Sequence, residues 1–249
     1  MTTPLDAFGP GIIVVTRTDI ANSTPVNIGY AQEFAPSFTG NIKELFGQNQ
    51  MPIDAARGTV KVSGTIKAAV LSGIAWNNTF FGNNFVSGGI QWNVSEAQTI
   101  SGTPFTITVL NGATFDEDLG VVYAATNIPF VKVASAPAVG QYSGPSSAGV
   151  YQFAAADTGI AVLLTYSSTV ATGQTLNINN QLLGSSPIFQ LDYYTKRSGK
   201  AFIARYNQCQ MAKLTMASKL EDFIYPDFEV HMFANAAGNL GKLYFPEVS

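Results

Sequence analysis

One histidine and one cysteine are the residues best suited to acid–base, nucleophilic or metal chemistry. His231 lies in "FEVHMF", where an alternating strand would place it on one face with Glu229 and Phe233. A general base or metal ligand needs partners, and the sequence offers neither a second histidine nor a nearby cysteine. Cys209 lies on a predicted strand in "YNQCQM", without the adjacent base that a nucleophilic cysteine needs. We therefore interpret both residues as structural.

Two acidic clusters are the next candidates for chemistry. The run "FDEDLG" holds Asp116, Glu117 and Asp118, but it lacks the alternating oxygen ligands and closing glutamate of a calcium-binding loop. We expect a solvated turn there. The second cluster lies near the C-terminal end of the chain: Glu221, Asp222, Asp227 and Glu229. Paired carboxylates about 5–10 Å apart can hydrolyse glycosidic bonds. Because adjacent residues on a strand point to opposite faces, hydrolysis is not the favoured interpretation.

Glycine-rich and aromatic segments provide no further chemical signal. The segment "GNNFVSGG" has neither the spacing of a dinucleotide fingerprint nor the closing Lys-Ser/Thr of a phosphate loop. Tyr193, Tyr194 and Tyr206 could stack on nucleic-acid bases, but no basic groove surrounds them in the sequence. Packing in a core or an interface is the better interpretation. The sequence therefore predicts a chain that is not an enzyme, with no catalytic residue, no cofactor and no metal site.

The composition favours contact with protein rather than with nucleic acid. Charged residues are 12% of the 249 residues, against about 25% in ordinary globular domains. The net charge is -3 and no basic stripe is visible, which argues against a nucleic-acid-binding protein. Because protein–protein interfaces are depleted in Lys, Glu and Asp, a surface so poor in charge indicates that much of the exterior contacts other protein chains.

Hydropathy, the N-terminal segment and the cysteine count predict the cellular compartment. No apolar run approaches the roughly 20 residues that cross a membrane, so no membrane partner is expected. The N-terminal "MTTPLDAFGPGIIVV" lacks the basic region and long apolar core of a secretion signal. A lone cysteine excludes an internal disulfide and fits a reducing compartment. We expect the chain to be made and folded in a cytoplasm.

Strand signals dominate the chain. The run "GIIVVTRT" is β-branched, and Thr59–Ala68 alternates as a half-buried antiparallel strand does. A single helix is predicted over Ala69–Gly82, where apolar residues follow a helical stripe and asparagines and a glycine supply a stop. Short strands cut by Gly, Pro and Asn fill the region of about 83–147, and further strands follow Gly149. The sequence predicts one mainly β domain with a more variable inserted region at about 83–147.

A long hairpin is expected where Ala35–Phe46 and Thr59–Ala68 pair. Between them lies "KELFGQNQMPIDAARG", which is rich in amides and has no histidine, cysteine or carboxylate cluster. Such a long and chemically inert excursion is suited to holding other copies of the same chain. The residues assigned to the hairpin tip are Phe46, Gly47, Gln48, Asn49, Gln50, Met51, Pro52 and Ile53.

The hairpin and the C-terminal motifs resemble one known family. The stretch "FTGNIKELFGQNQMPIDAARGTVKVSGTIKAA" is similar to a stretch in tail tube proteins of tailed bacteriophages, mostly the contractile-tailed kind. The segments "NQLLGSSPIFQL", "CQMAKLTMASKLEDFIYPDFEV" and "ANAAGNLGKLYFPE" are similar to the C-terminal part of that family, in the same order. The resemblance is weakest from Asn83 to Val133, and Phe46 stands where the family pattern has tyrosine.

This resemblance implies an antiparallel β-sandwich with a flanking helix, of which six copies close into a ring whose inner strands form one barrel. Rings stack into a tail tube that conducts DNA into the host, and the long hairpin reaches the neighbouring ring. The implied partners are the chain itself and the sheath, tape-measure and baseplate or neck proteins of a tail. DNA passes without specific binding, and the protein is located in the virion tail after assembly in the bacterial cytoplasm.

A tube that conducts DNA should not bind it tightly. Each phosphate contact from Lys or Arg would add affinity for the passing DNA, so a weakly negative lumen is favoured. The candidate lumen carboxylates are Glu221, Asp222, Asp227 and Glu229.

The tube of a contractile bacteriocin or secretion needle, a capsid decoration protein and a carbohydrate-binding β-sandwich remain as alternatives. The last would expose tryptophan near carboxylates, whereas Trp76 and Trp92 lie far in sequence from the acidic clusters.

Overall fold

The structure is a computed structural model that describes residues 9–70, 72–197, 200–218, 220 and 225–245. Strands dominate these residues, the sheets are mainly antiparallel, and one short α-helix is present in the described part of the chain. The prediction of a mainly β, antiparallel protein with one helix is confirmed.

Strands of very different length alternate with turns along the chain. In chain order they are β1 (Gly11–Arg17), β2 (Val26–Phe46), β3 (Pro52–Ala68), β4 (Phe85–Thr99), β5 (Thr106–Thr108), β6 (Phe115–Tyr123), β7 (Val131–Val133), β8 (Gln141–Ser143), β9 (Val150–Phe153), β10 (Ala161–Leu176), β11 (Phe189–Arg197), β12 (Lys200–Met216), β13 (Pro226–Phe233) and β14 (Gly241–Tyr244). A typical strand has about 5–6 residues. By that measure β2, with 21 residues, and β3 and β12, with 17 each, are unusually long.

The chain divides into two units, each with its own core. Unit 1 combines Met1–Asn84 with Ile178–Ser249, and unit 2 is the stretch between them, Phe85–Asn177. The predicted inserted region starts near the beginning of unit 2 but ends near residue 147, whereas unit 2 continues to Asn177. It continues because β10 pairs with both β4 and β6, so that this long strand belongs to the same unit.

The strand pairings of unit 1 close on themselves. The order is β11–β1–β2–β3–β13–β12–β14, and β11 additionally pairs with β12. Closure is possible because two long strands pair with different neighbours at their two ends. β2 pairs with β1 as far as Ala31 and with β3 from Ala31 to Phe46. Likewise β12 pairs with β11 up to Cys209 and with β13 from Gln208 onward. The result is a ring of antiparallel strands, as in a small barrel.

The core of unit 1 is apolar. Alternate residues of β1 are buried, because successive side chains of a strand point to opposite faces. Phe34 is partly buried and packs against this core, with its ring centroid 4.6 Å from that of Tyr193. The buried core residues are Ile13, Val15, Ile28, Ala31, Val62, Ile66, Ala68, Ala75, Phe189, Leu191, Ala204, Tyr206, Cys209, Met211, Phe228, Val230 and Met232.

The helical segment is shorter than predicted and changes type. The helix α1 covers only Gly73–Trp76, and a π-helix over Asn77–Phe81 follows directly. Gly82 ends it in the left-handed conformation, with φ +67, as a glycine stop signal does. The predicted start at Ala69 is wrong, because the Ala69 amide donates a hydrogen bond to the Tyr30 carbonyl oxygen at 2.8 Å and so continues the sheet pattern.

Unit 2 is built from two smaller sheets. One has the order β4–β10–β6 and is antiparallel; the other has the order β5–β9–β8–β7, in which β7 and β8 are parallel. The first residue of β4, Phe85, pairs with the last residue of β10, Leu176, so the two ends of the unit lie side by side. The buried core residues are Ile100, Ile107, Val109, Val121, Phe130, Tyr142, Tyr151, Phe153, Val162, Leu164 and Tyr166.

Candidate functional site

The β2–β3 hairpin extends beyond the strands that flank it. β2 and β3 remain paired from Ala31 and Ala68 out to Phe46 and Pro52. On the β3 side, β13 follows only as far as the pair of Met232 with Val62. On the β2 side, β1 stops at Ala31. Within the described residues, the remainder is therefore a two-stranded ribbon whose outer backbone edges have no strand partner.

This distal hairpin, Ala35–Lys61, is exposed at every residue. An isolated two-stranded hairpin is only marginally stable in water, because it has no layer to pack against. A long edge with unpaired N–H and C=O groups is also a template for pairing with another chain. The distal hairpin is therefore a structure that gains stability when another protein surface covers it.

Apolar side chains follow the distal hairpin along its whole length. Met51 in the tip is 79% exposed. The other large apolar residues that this segment exposes are Phe38, Ile42, Leu45, Phe46, Ile53 and Val60. A monomeric protein exposes such residues singly, whereas contiguous apolar patches mark interaction sites. The set is therefore a candidate protein–protein interface.

The pattern of alternation explains why apolar side chains reach so far out. Phe34 packs on the core of unit 1, and Phe38 and Ile42 lie on the same face of β2 because side chains alternate with period two. The pairing register shifts between Gly40 and Ile42, which marks a β-bulge. The apolar face that fills the barrel thus continues along the hairpin after the rest of the barrel has ended.

The predicted tip residues lie at the far end of this segment. A loop over Gly47–Met51 joins the two strands, and the register shifts again between Leu45 and Phe46. All residues from Phe46 to Ile53 are exposed. The Asp54 carboxylate accepts a hydrogen bond from the Ala55 amide at 2.8 Å and so fixes the backbone beside the tip. The tip has the exposure that a contact surface requires, and its assignment to ring stacking stays a prediction.

An open apolar groove of about 640 Å³ lies where the distal hairpin leaves the barrel. We call it the base groove. Its apolar lining comes from Phe38, Val60, Val62, Met232, Phe233 and Leu240, and Lys61 and His231 also border it. Val62 and Met232 belong to the core, whereas Phe38 and Val60 are about half exposed. The groove is thus an uncovered continuation of the core.

The structure describes two of the four candidate lumen carboxylates. Glu221 and Asp222 lie outside the described residues. Asp227 and Glu229 project from the same side of β13, opposite the buried residues of that strand. Their partners across the neighbouring strands are Lys67 and Lys213, respectively. The surface around these two carboxylates therefore carries charges of both signs.

One ion pair strengthens this mixed character. Lys67 donates a hydrogen bond to the Glu33 carboxylate at 2.6 Å, and this contact raises the pKa of the Lys67 amine. Both side chains remain about half exposed, so the pair contributes little to stability. The assignment of Asp227 and Glu229 to a lumen stays a prediction.

His231 and Cys209, the residues first considered for chemistry, do not form a shared site. The His231 Nε2 atom lies 4.0 Å from the Glu229 carboxylate, and both side chains are exposed. Cys209 is buried in the core, and burial raises the pKa of its thiol to about 12. The thiol is therefore protonated at neutral pH, the opposite of an activated nucleophile. The described residues contain no group of three or more His, Cys, Asp or Glu that could hold a metal ion.

The acidic run "FDEDLG" is not the solvated turn that we expected. It forms the first part of β6, and the Asp118 side chain is only 5% exposed. Its carboxylate accepts hydrogen bonds from the hydroxyls of Tyr142 at 2.9 Å and Tyr151 at 3.0 Å, and it pairs with Lys132 at 2.8 Å. Burial, together with this carboxylate, raises the pKa of both phenols. The expectation failed because the partners lie far away in sequence.

A scan against models of known protein families found no match, and a search of curated proteins found no similar sequence. In the described residues, no helix is long and apolar enough to cross a membrane.

Proposed function

We propose that this chain is a structural subunit that assembles with copies of itself into the tail tube of a bacteriophage. The observation that carries the proposal is the distal hairpin, which is exposed throughout, has unpaired edges and bears a series of apolar side chains. The sequence of that hairpin is also the part that most resembles tail tube proteins. The subunit would form six-membered rings, and the rings would stack.

Magnitudes favour assembly over a solitary chain. Burying a Leu, Ile, Phe or Met side chain fully contributes about 1.5–3 kcal/mol. Association costs about 4–15 kcal/mol in lost freedom of motion. The exposed apolar side chains of the distal hairpin, if covered by a neighbour, supply a stabilisation of that size. Backbone pairing along the open edges adds to it.

The geometry of contact determines the form of the assembly. A hairpin that docks on a different surface of the next copy makes a head-to-tail contact. Such contacts close into a ring when the rotation allows it and otherwise continue into a filament. A tube needs both kinds, one within the ring and one between rings. We assign the tip residues Phe46 to Ile53 to the contact between rings.

The net charge of the chain supports a conduit function. The chain has a net charge of -3, and a ring multiplies that charge. A wall whose lysines stand opposite carboxylates gives phosphates few salt-dependent contacts, so DNA passes without specific binding. Sheath, tape-measure and baseplate or neck proteins are the further partners of such a tube, and the virion tail is its location.

Negative-stain electron microscopy of the concentrated protein tests the proposal. We expect hollow rods or sixfold rings. A variant that lacks Gln48–Ala55 should keep the core of unit 1 but lose the rods, because the contact between rings is missing. Compact closed oligomers would favour a capsid decoration protein instead. A protein that remains monomeric under all conditions would refute the proposal.

A further inference from the structure

A second exposed apolar segment lies in unit 1, between the end of unit 2 and β11. Leu183 is fully exposed, Leu182 is 86% exposed and Ile178 is 74% exposed. The segment forms neither helix nor strand. Leucine side chains are usually buried, so two adjacent leucines at nearly full exposure require an explanation.

The segment is held in place next to its leucines. The Gln181 side-chain amide donates hydrogen bonds to the Phe81 carbonyl oxygen at 2.8 Å and to the Asn83 side-chain oxygen at 2.7 Å. The Ser185 amide donates to the Leu182 carbonyl oxygen at 3.0 Å and closes a turn. The backbone around the two leucines is therefore fixed before any partner arrives, which lowers the entropy cost of docking.

The base groove offers a matching acceptor. Its volume of about 640 Å³ lies within the range of about 300–1,000 Å³ that holds a small ligand, so two leucine side chains fit in it. Its lining is mostly apolar, and the polar side chains at its border are Lys61 and His231. In a single copy the groove is open while the leucines are exposed, so the segment does not fill the groove of its own chain.

We infer that Ile178–Leu183 of one copy inserts Leu182 and Leu183 into the base groove of a neighbouring copy. The segment 177–188 has no charged residue, so no charge loses its water when the segment is buried. The acceptor is continuous with the distal hairpin, because Phe38 and Val60 belong to both. Donor and acceptor are different surfaces, so the contact links copies head to tail. This inference rests on the proposed self-assembly and identifies one of its contacts.

Cross-linking between separately made chains tests the inference. One chain carries Leu183→Cys and the other Val60→Cys; Cys209 is buried and contributes little background. After mixing and mild oxidation under assembly conditions, we expect a covalent mixed dimer. The matched control is Leu110→Cys, at a residue of unit 2 that is 84% exposed. It should give no dimer with Val60→Cys.

A second variant measures the contribution of the contact. The double substitution Leu182→Ser and Leu183→Ser changes only exposed residues, and Leu110→Ser is its control. We expect the double variant to need at least about a tenfold higher protein concentration for assembly, and the control to match the unsubstituted chain.

The outcomes separate this inference from the proposed function. Rods without a mixed dimer, or an unchanged assembly concentration of the double variant, overturn the inference while the proposed function stands. The inference is also overturned if a chain that carries both Leu183→Cys and Val60→Cys forms only an intramolecular disulfide. If the unsubstituted chain never assembles, both proposals fail.

Discussion

The core of unit 1 and the core of unit 2 are built from different side chains. The interior of unit 1 is almost wholly aliphatic and aromatic. The interior of unit 2 is rich in tyrosine, and three carboxylates are tied into it. Asp118 accepts from two tyrosine hydroxyls, Glu96 accepts from Tyr166 at 2.6 Å, and the fully buried Asp157 accepts from the Gly140 amide at 3.0 Å. Unit 2 thus satisfies its polar groups from within.

The two units also differ in what they leave uncovered. Unit 1 exposes an apolar ribbon that has no layer behind it, whereas unit 2 exposes Trp92 and Val94 on β4, where β4, β10 and β6 pair as three strands. Trp92 is 67% exposed, yet it pairs with β10, which pairs with β6 on its other side and buries Val162, Leu164 and Tyr166 in the core of unit 2. An exposed apolar residue is therefore a stronger sign of assembly where the backbone itself lacks support. We therefore place the assembly contacts in unit 1.

The largest effect is expected at the hairpin tip. Replacing Phe46, Met51 and Ile53 together by serine removes three exposed apolar side chains without touching either core. If the tip joins rings, the concentration needed for rods should rise at least about 100-fold, because each lost contact contributes more than about 1 kcal/mol. Light scattering, recorded as a function of protein concentration, measures the concentration at which rods form. Rods at the original concentration would show that these side chains lie outside the contact.

A substitution in unit 2 should reduce stability and spare assembly. Asp118→Ala leaves two buried tyrosine hydroxyls without their acceptor, at about 1–3 kcal/mol each. We expect unit 2 to lose about 3–5 kcal/mol in urea unfolding followed by tyrosine fluorescence. Glu117→Ala is the control, because it removes the neighbouring carboxylate of β6, which is exposed. An Asp118→Ala protein as stable as the control would refute the role of the carboxylate.

Alkaline pH should weaken unit 2 through Tyr142 and Tyr151. The folded state raises the pKa of both phenols above the ordinary value of 10.0. The contribution of these two phenols to the stability of unit 2 is therefore complete below pH 10, where the phenols of the unfolded chain are neutral. This contribution falls as the pH rises further. The slope is at most about 1.4 kcal/mol per pH unit for each phenol. Urea unfolding from pH 8 to 11 measures it, and Tyr142→Phe with Tyr151→Phe should flatten the slope. An equally steep decline in that variant would assign the effect elsewhere.

The smallest effect is expected from the apolar residues of β4. Replacing Trp92 and Val94 by serine should leave the assembly concentration unchanged within about twofold, since these side chains stand where β4, β10 and β6 pair as three strands. Removal of Phe85–Asn177 with a short Gly-Ser linker extends the same test, because the two ends of the unit are paired. Loss of rods in either protein would move an assembly contact into unit 2.

Local patterns predicted the parts of the fold that local physics decides. The alternation in Thr59–Ala68 predicted a strand with one buried face, and β3 buries Val62, Ile66 and Ala68. The long hairpin was predicted from two such segments and is present. The helix was predicted too long, because Ala69 continues the hydrogen bonding of the sheet and the helical turns begin only at Gly73.

The sequence did not predict contacts between residues that lie far apart in the chain. Asp118 was expected in solvent, but Tyr142 and Tyr151 approach it from strands that the chain reaches later. The exposure of Leu182 and Leu183 could not be foreseen either, since leucine pairs are ordinary core residues. The hairpin that carries the candidate site was nevertheless predictable, because two alternating segments flank the amide-rich tip.

Hydrogen–deuterium exchange tests the central claim most directly, because it reports which backbone amides become covered. The measurement compares peptides of the full chain at dilute and at assembly concentration. We predict that exchange in Ala35–Lys61 slows strongly on assembly, since the open edges of the hairpin gain partners, while exchange in unit 2 changes little. Unchanged exchange in Ala35–Lys61 in an assembled sample, or a chain that stays monomeric at every concentration, would contradict the account.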